Sequence, residues 1–294
     1  MAEATIQDQE NQAAQAAARK RDRFGIFFWL PAAWLGFIIF CAVFADLLPL
    51  LPNDEMDFMS IADPPLTVEE HPLGTDLLGR DVLSRILYGA RVSLTVGIVA
   101  TAIGMFFGLA IGLLAGYYRG WVESTTTLCL DTVLALPGLV VLLLAAVIFG
   151  GSLTIVSVSL GVLLIPPFAR ISRANTLNFA QREFVVAAKA MGARDLRIIV
   201  FEILPNVVLP VAAYALVLVA IAIVIEGSLS FLGLSVPSPT PSWGGMIAEG
   251  RENLDDSPHI SFIPAIFMFL TVLSFNLVGD TLRSKLADLR ESAL

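Results

Sequence analysis

Charge is scarce in this chain. Only 15% of its 294 residues are charged and 56% are hydrophobic, where soluble domains carry roughly 25% charged residues. The charges cluster, and six stretches hold none at all: 26–45, 92–116, 132–150, 151–169, 207–225 and 260–279. At about 1.5 Å per residue each can cross a hydrocarbon core of roughly 30 Å. A soluble domain of this size has room for one such helix but not for six. The stretches also lack the apolar–polar alternation over about ten residues that a spanning strand needs. The expected fold class is therefore an all-α membrane protein with six transmembrane helices.

Other absences exclude chemistry. There are only two cysteines and two histidines. Cys41 and Cys129 fall in or beside separate spans at opposite depths, which argues against a disulfide and for small buried apolar side chains. His71 and His259 have no ligand cluster around them in the sequence, so no metal site follows. No G-x4-G-K-[ST] phosphate loop occurs, so the chain has no such nucleotide site of its own. The first apolar run ends in Phe44-Ala45-Asp46 without a small-x-small cleavage site, and at 20 residues it exceeds a signal core of roughly 7–15. It reads as a retained first helix. An ion-coupled secondary transporter should show paired midplane charges and often internal repeats, and neither is visible. A membrane enzyme needs polar groups that converge, which two scattered histidines do not supply. A channel, working without ATP, and a secondary transporter are the readings of a different class.

The distribution of charge gives an orientation. With the amino end inside, fourteen of the 18 Lys and Arg residues fall in the amino tail, the turn near 117–131, the loop 170–206 and the carboxyl tail. Only Arg80, Arg85, Arg91 and Arg251 fall outside, as the positive-inside rule requires. Both ends are thus expected in the cytoplasm, with Arg19, Lys20, Arg21 and Arg23 as the first anchor. The opposite face is acidic, with nine acids from Asp46 to Asp81 and five from Glu226 to Asp256. That polarity argues against a nucleic-acid partner, which would need a basic face.

Three connections stand out. The loop 46–91 carries Pro, Asp and Gly turn signals and is expected to fold partly on the membrane surface. Gly150-Gly151-Ser152 makes a tight hairpin between spans three and four. The loop 170–206 lacks the Gly/Ser richness of a flexible linker. Within it, Glu183 to Gly192 reads as a short helix ended by Gly192, a left-handed terminator. Ala193 to Leu204 reads as a second helix capped by Asp195, and Pro205-Asn206 is expected to break the backbone before span five. Small Ala187 and Ala188 would let this pair of helices seat in a groove on another protein. An ordinary interfacial amphipathic loop has the same apolar pattern, so the residues alone leave both readings open.

Gly104, Gly108, Gly112 and Gly116 repeat at i+4 and so line one helix face, a seam for close packing by another helix. Whether it faces this chain or a partner stays open. Glu226 is placed roughly 28 Å along span five by its rise of about 1.5 Å per residue, at the outer interface, as a gate-side or a merely solvated group. Asp131 is expected to anchor the inner edge of span three. Pro137-Gly138, Pro166-Pro167 and Pro264 are candidate kinks.

Ala187-Ala188-x3-Gly192, followed by Leu204-Pro205, resembles the EAA loop of binding-protein-dependent ABC importer permeases. Val186 stands where that motif usually has Glu, and Glu202 where it has Ile. His71 to Leu94 resembles the signature before the core helices in the peptide branch of these permeases. Glu226 to Ile247 is similar to that branch's segment after span five, and Phe275 to Arg283 to its closing segment. The resemblance covers about residues 20–290 in the expected order and points to the C-type permease of a dipeptide or oligopeptide importer, in a type I importer fold.

The resemblance implies a role and partners. The chain would form half of a translocation pathway in a bacterial plasma membrane, beside a sister permease, with an extracytoplasmic substrate-binding protein outside. Two ATPase subunits would sit below, and ATP and magnesium would belong to them; no cofactor is expected in this chain and no catalysis. Coupling to the ATPases would fall to Glu183, Ala187, Ala188, Lys189, Gly192, Asp195, Leu204 and Pro205. The same branch also carries nickel complexes, haem and other small solutes, so the cargo stays open. The expected organisation is a disordered tail over 1–24, a first helix plus outer loop over 25–91, and a five-helix core over 92–294 containing the loop 170–206.

Overall fold

The computed structural model describes residues 25–291; the tail 1–24, with its four basic residues, lies outside the described residues. In chain order the helices are α1 (Ile26–Val43), α2 (Val82–Tyr118), α3 (Gly120–Ala135), α4 (Gly138–Phe149), α5 (Leu153–Phe179), α6 (Glu183–Ala190), α7 (Asp195–Phe231), α8 (Trp243–Gly250) and α9 (His259–Glu291). Five of them, α1, α2, α5, α7 and α9, are each long and apolar enough to cross a membrane, and α3 with α4 makes a sixth span if the bent pair is counted as one. Among the described residues the only β feature is a single bridge between Thr75 and Asp81.

The third expected span, 132–150, is not one straight helix. α3 and α4 meet at 75°, and the cause is Pro137. Its ring crowds the backbone of the residue before it and drives that residue out of the α region. Leu136 accordingly has ψ 133° and Pro137 ψ 111°. Pro166, Pro167 and Pro264, the other candidate kinks, lie inside continuous helices. Cys129, expected to be buried, sits exposed on α3, while Cys41 is buried; both thiols are free.

α2 begins at Val82, well before the charge-free stretch at 92. Asp81 starts it, accepting the Ser84 N–H at 2.7 Å and so satisfying one of the helix's unpaired amides. The chain before it, from Phe44 to Arg80, folds into a cap over this end of the bundle. Gly79 holds φ +73°, and a Cβ there would stand 2.0 Å from the Asp57 carbonyl oxygen, so only glycine fits. The Thr75 hydroxyl donates to Ser60 O at 2.6 Å and accepts the Asp63 N–H at 2.9 Å. His259 Nε2 lies 3.0 Å from Thr75 O, which fastens the cap to the start of α9.

The glycine stripe of α2 packs inside the chain, against α5. A Cβ at Gly104 would stand 2.6 Å from Leu164 Cβ, at Gly108 2.7 Å from Ile165 O, at Gly112 2.5 Å from Ala169 O and at Gly116 2.7 Å from Thr176 Cβ. All four distances are too short for a side chain, so backbone meets side chain and backbone along about three turns. On the other side of α2, a second core forms with α1, α7 and α9 around Ile38, Ala90, Leu94, Ile223 and Trp243.

Candidate functional site

The turn between α5 and α7 is built by its glycine. Gly192 has φ +79°. It closes α6 with the Ala193 N–H bonded to Ala188 O at 3.1 Å and its own N–H to Lys189 O at 3.0 Å, the paired bonds of a left-handed helix terminator. Glu183 opens α6 at its first turn, where a negative charge suits the helix dipole. Val185 and Ala188 point into the chain's own core with Ile198, Ile199 and Ile203. Ala187, Lys189 and Gly192 are exposed. Ala188 is therefore committed to this chain, and Ala187 is the small residue open to a neighbour.

Two expectations at the second helix need correction. Asp195 does not cap it: Arg194 occupies the cap position and no side-chain cap bond forms. The Asp195 carboxylate instead accepts the Tyr117 hydroxyl of α2 at 2.6 Å. Nor does Pro205-Asn206 break the backbone. Residues Ile198–Ile203 widen into a π-helical stretch, in which the Leu204 N–H reaches Ile199 O, and α7 continues to Phe231. A proline has no N–H to give and its ring crowds the carbonyl four residues back. Widening the preceding turn relieves both problems without ending the helix. Leu204 is half-buried and Pro205 exposed. The turn is thus the first part of a single rod that crosses the bundle.

Four apolar side chains of the turn and the start of α7 are exposed at this end. Val186 is 57% exposed, Met191 82%, Leu196 70% and Phe201 71%. Ion pairs join the neighbouring helices α3 and α5. Arg173 of α5 donates to Glu123 of α3 at 2.6 Å, and Arg170 pairs with Asp131. Asp131 lies within α3 rather than at the start of a span.

At the opposite end, Glu226 is completely buried, so it is not the solvated group that one reading allowed. Its carboxylate accepts the hydroxyls of Ser230 at 2.7 Å, Ser93 at 3.0 Å and Ser235 at 3.1 Å. These serines join α7, α2 and the loop before α8, and the bonds meet the cost of burying the group. Ser242 extends the cluster, lying 3.0 Å from Ser230 Oγ and capping α8 through the Gly245 N–H. Trp243 is buried and donates to Ile86 O at 3.0 Å. Beside the cluster is an apolar hollow of about 410 Å³ lined by Val224, Gly227, Phe231, Gly244, Ile247 and Met268.

The cap is held to α2 and α8 by the buried charges of Asp76, Arg80 and Arg85 and by the partly exposed Glu249. Arg80 Nε donates to Asp76 at 2.6 Å, while Arg80 and Arg85 each place an Nη2 2.9 Å from the same Glu249 oxygen. Between the end of α1 and α2, the Arg91 guanidinium, helped by the Tyr88 hydroxyl, holds the exposed Asp46 carboxyl below the usual carboxylate range. Sequence reasoning placed Arg80 and Arg85 as outer cations and missed their burial; it also missed Tyr117. Two arginines five residues apart beside an acid-rich loop were the signal for the first. For the second, an aromatic at a span end signals no more than an interfacial position. Among the described residues no group of three or more His, Cys, Asp or Glu could hold a metal ion.

Comparison with known proteins agrees with this architecture. The chain is 39% identical over 240 residues to the glutathione transport system permease protein GsiD of Pectobacterium atrosepticum, covering 82% of this chain and 79% of that one. It is 37% identical over 250 residues to the protein of the same name from Escherichia coli O1:K1 / APEC, covering 85% and 82%. Its fold resembles that in inward-facing structures of the MetNI methionine ABC transporter, with a TM-score of 0.57 at 18% identity, covering 69% of this chain and 96% of that chain. Residues 108–288 match the family described as binding-protein-dependent transport system inner membrane component. The long apolar helices, the helical turn on a rigid rod and these matches agree, and the chain belongs to the family of binding-protein-dependent transport system inner membrane components.

Proposed function

We propose that this permease is one half of the translocation pathway of an ATP-driven importer for glutathione or short peptides of similar chemistry. It works beside a sister permease, above two cytoplasmic ATPase subunits and beneath an extracytoplasmic binding protein. The residues from Glu183 to Pro205 form the seat for an ATPase. The observation that carries this role is the exposure of apolar Val186, Met191, Leu196 and Phe201 on a turn continuous with the transmembrane rod α7. A soluble partner that grips these side chains moves α7 directly, since a continuous helix transmits a tilt along its length. Ala187 allows close approach beside them, and Glu183 and Lys189 supply charges on the same turn. The positive-inside count supports a cytoplasmic position for this end.

The cargo is argued from the relatives, two of which are named for glutathione transport. Glutathione is itself a short peptide. The test is uptake by proteoliposomes holding the complete complex, with labelled glutathione, dipeptides, longer peptides and nickel offered in turn. ATP-dependent glutathione or peptide uptake that needs the binding protein is the expected result. Uptake of nickel alone, or of any solute by this chain without the ATPases, overturns the proposal.

A further inference from the structure

The inner end of α2 touches both arms of the 183–205 turn through a single side chain. The Tyr117 hydroxyl donates to Asp195 Oδ1 at 2.6 Å, at the first residue of α7. On the same tyrosine, the Lys189 ammonium sits 4.7 Å from the ring centroid, near the end of α6. Between these two contacts lies Gly192, the turn's hinge point. Tyr117 is half-buried against the core and its neighbour Gly116 packs on Thr176 and Arg173 of α5, so the ring is presented by a helix that cannot shift freely.

α2 is itself held at the far end of the bundle. Arg85 in its first turn is locked to Glu249 of α8, and Ser93 further along it bonds Glu226 of α7. A movement of the turn passes into α5 and α7, the helices on either side of it in the chain, and it also reaches α2 directly. Of the two covalent neighbours, α7 is the one that runs on from the turn as a single rod. The direct contact runs through Tyr117 into α2, and from there to the cap and α8.

We infer that Tyr117 is a positioning residue for transport, which yokes α2 to the ATPase-docking turn so that α2 and α7 move together. The inference rests on the coupling role proposed above. The hydroxyl supplies a charge-assisted hydrogen bond to Asp195, and the ring a cation–π contact to Lys189. With the yoke cut, the turn still docks and the ATPases still turn over, but α2 lags and fewer cycles move solute.

The experiment uses the full complex in proteoliposomes with its binding protein, and reads ATP hydrolysed per glutathione imported. Tyr117→Phe keeps the ring and removes the hydroxyl; Asp195→Ala removes the acceptor; Asp195→Asn keeps one. The expected result is a rise in the ratio of about fivefold or more for Tyr117→Phe and Asp195→Ala, the lower end of ordinary coupling effects, with no further rise in the double variant. Asp195→Asn should restore most of the coupling. An unchanged ratio in Tyr117→Phe overturns the inference, and so does a double variant whose effects add, because the two residues would then act separately. Co-purification of the ATPases and a parent complex that imports the solute are the controls. Their failure would count against the proposed function rather than against Tyr117.

Discussion

Arg85 and Glu249 meet at 2.9 Å across 164 residues of chain. Arg85 is 1% exposed, and Arg80 shares the same Glu249 oxygen. The two buried guanidiniums face two carboxylates, the buried Asp76 and the partly exposed Glu249, so the group is balanced in charge. Glu249→Gln would leave two buried cations with a single anion. Glu249 is 34% exposed, so the cost is below the ~3–5 kcal/mol of breaking a fully buried pair from one side. We predict a marked fall in the thermal unfolding midpoint of Glu249→Gln in detergent. Exchanging the exposed Glu252 for Gln, outside this network, should change it little.

The seam between α2 and α5 makes a second prediction. Gly108→Leu would drive a side chain into the Ile165 carbonyl and Phe168 Cβ, already 2.7 and 2.5 Å from where its Cβ must sit. Overpacking typically costs about 1–3 kcal/mol, and here backbone would have to move as well. The expected outcome is poor accumulation in the membrane and a lowered unfolding midpoint. Gly36→Leu on α1, where a Cβ meets nothing within 4 Å, should be tolerated.

Gly192 separates conformation from packing. A Cβ there would touch nothing within 4 Å, yet its φ is +79°. A left-handed residue with a side chain costs roughly 1–2 kcal/mol, and Asn tolerates that region far better than a branched residue. Gly192→Val should therefore raise ATP hydrolysed per solute imported, while Gly192→Asn stays near the parent. Equal ratios for the two variants would show that the backbone conformation of the turn does not matter.

Pro205 is expected to hold the turn in register. Replacing it with Ala restores an N–H and removes the ring, so the π-helical stretch Ile198–Ile203 is free to tighten to an α-helix. Closing up the one-residue widening rotates the preceding segment by about 100°, which carries Leu196 away from its exposed position. We predict weakened co-purification of the ATPases with Pro205→Ala, with the unfolding midpoint unchanged or raised.

The six apolar stretches were legible because a membrane leaves a periodicity-free signal of length and charge alone. The terminator at Gly192 was legible because few residues accept its backbone conformation. Relations between distant segments were harder to read. Nothing local says that Glu226 finds Ser93 or that Arg85 finds Glu249, since each bond depends on how α2, α7 and α8 pack. The glycine stripe announced a close contact but not its partner, which depends on the facing surface of α5. Proline was ambiguous for the same reason. At Pro137 it ends a helix, and at Pro205 a widened turn absorbs it, a choice set by the packing of Ile198, Ile199 and Ile203 on the core.

The docking role of the turn is tested most directly by one thiol. Met191, 82% exposed, is replaced by Cys in a background where exposed Cys129 is Ser, and is challenged with a membrane-impermeant maleimide. The prediction is labelling from the cytoplasmic side only, and protection of about tenfold or more once the ATPase subunits are bound, as expected of a residue at the buried centre of an interface. Labelling from outside intact cells, or equal labelling with and without the ATPases, would contradict it.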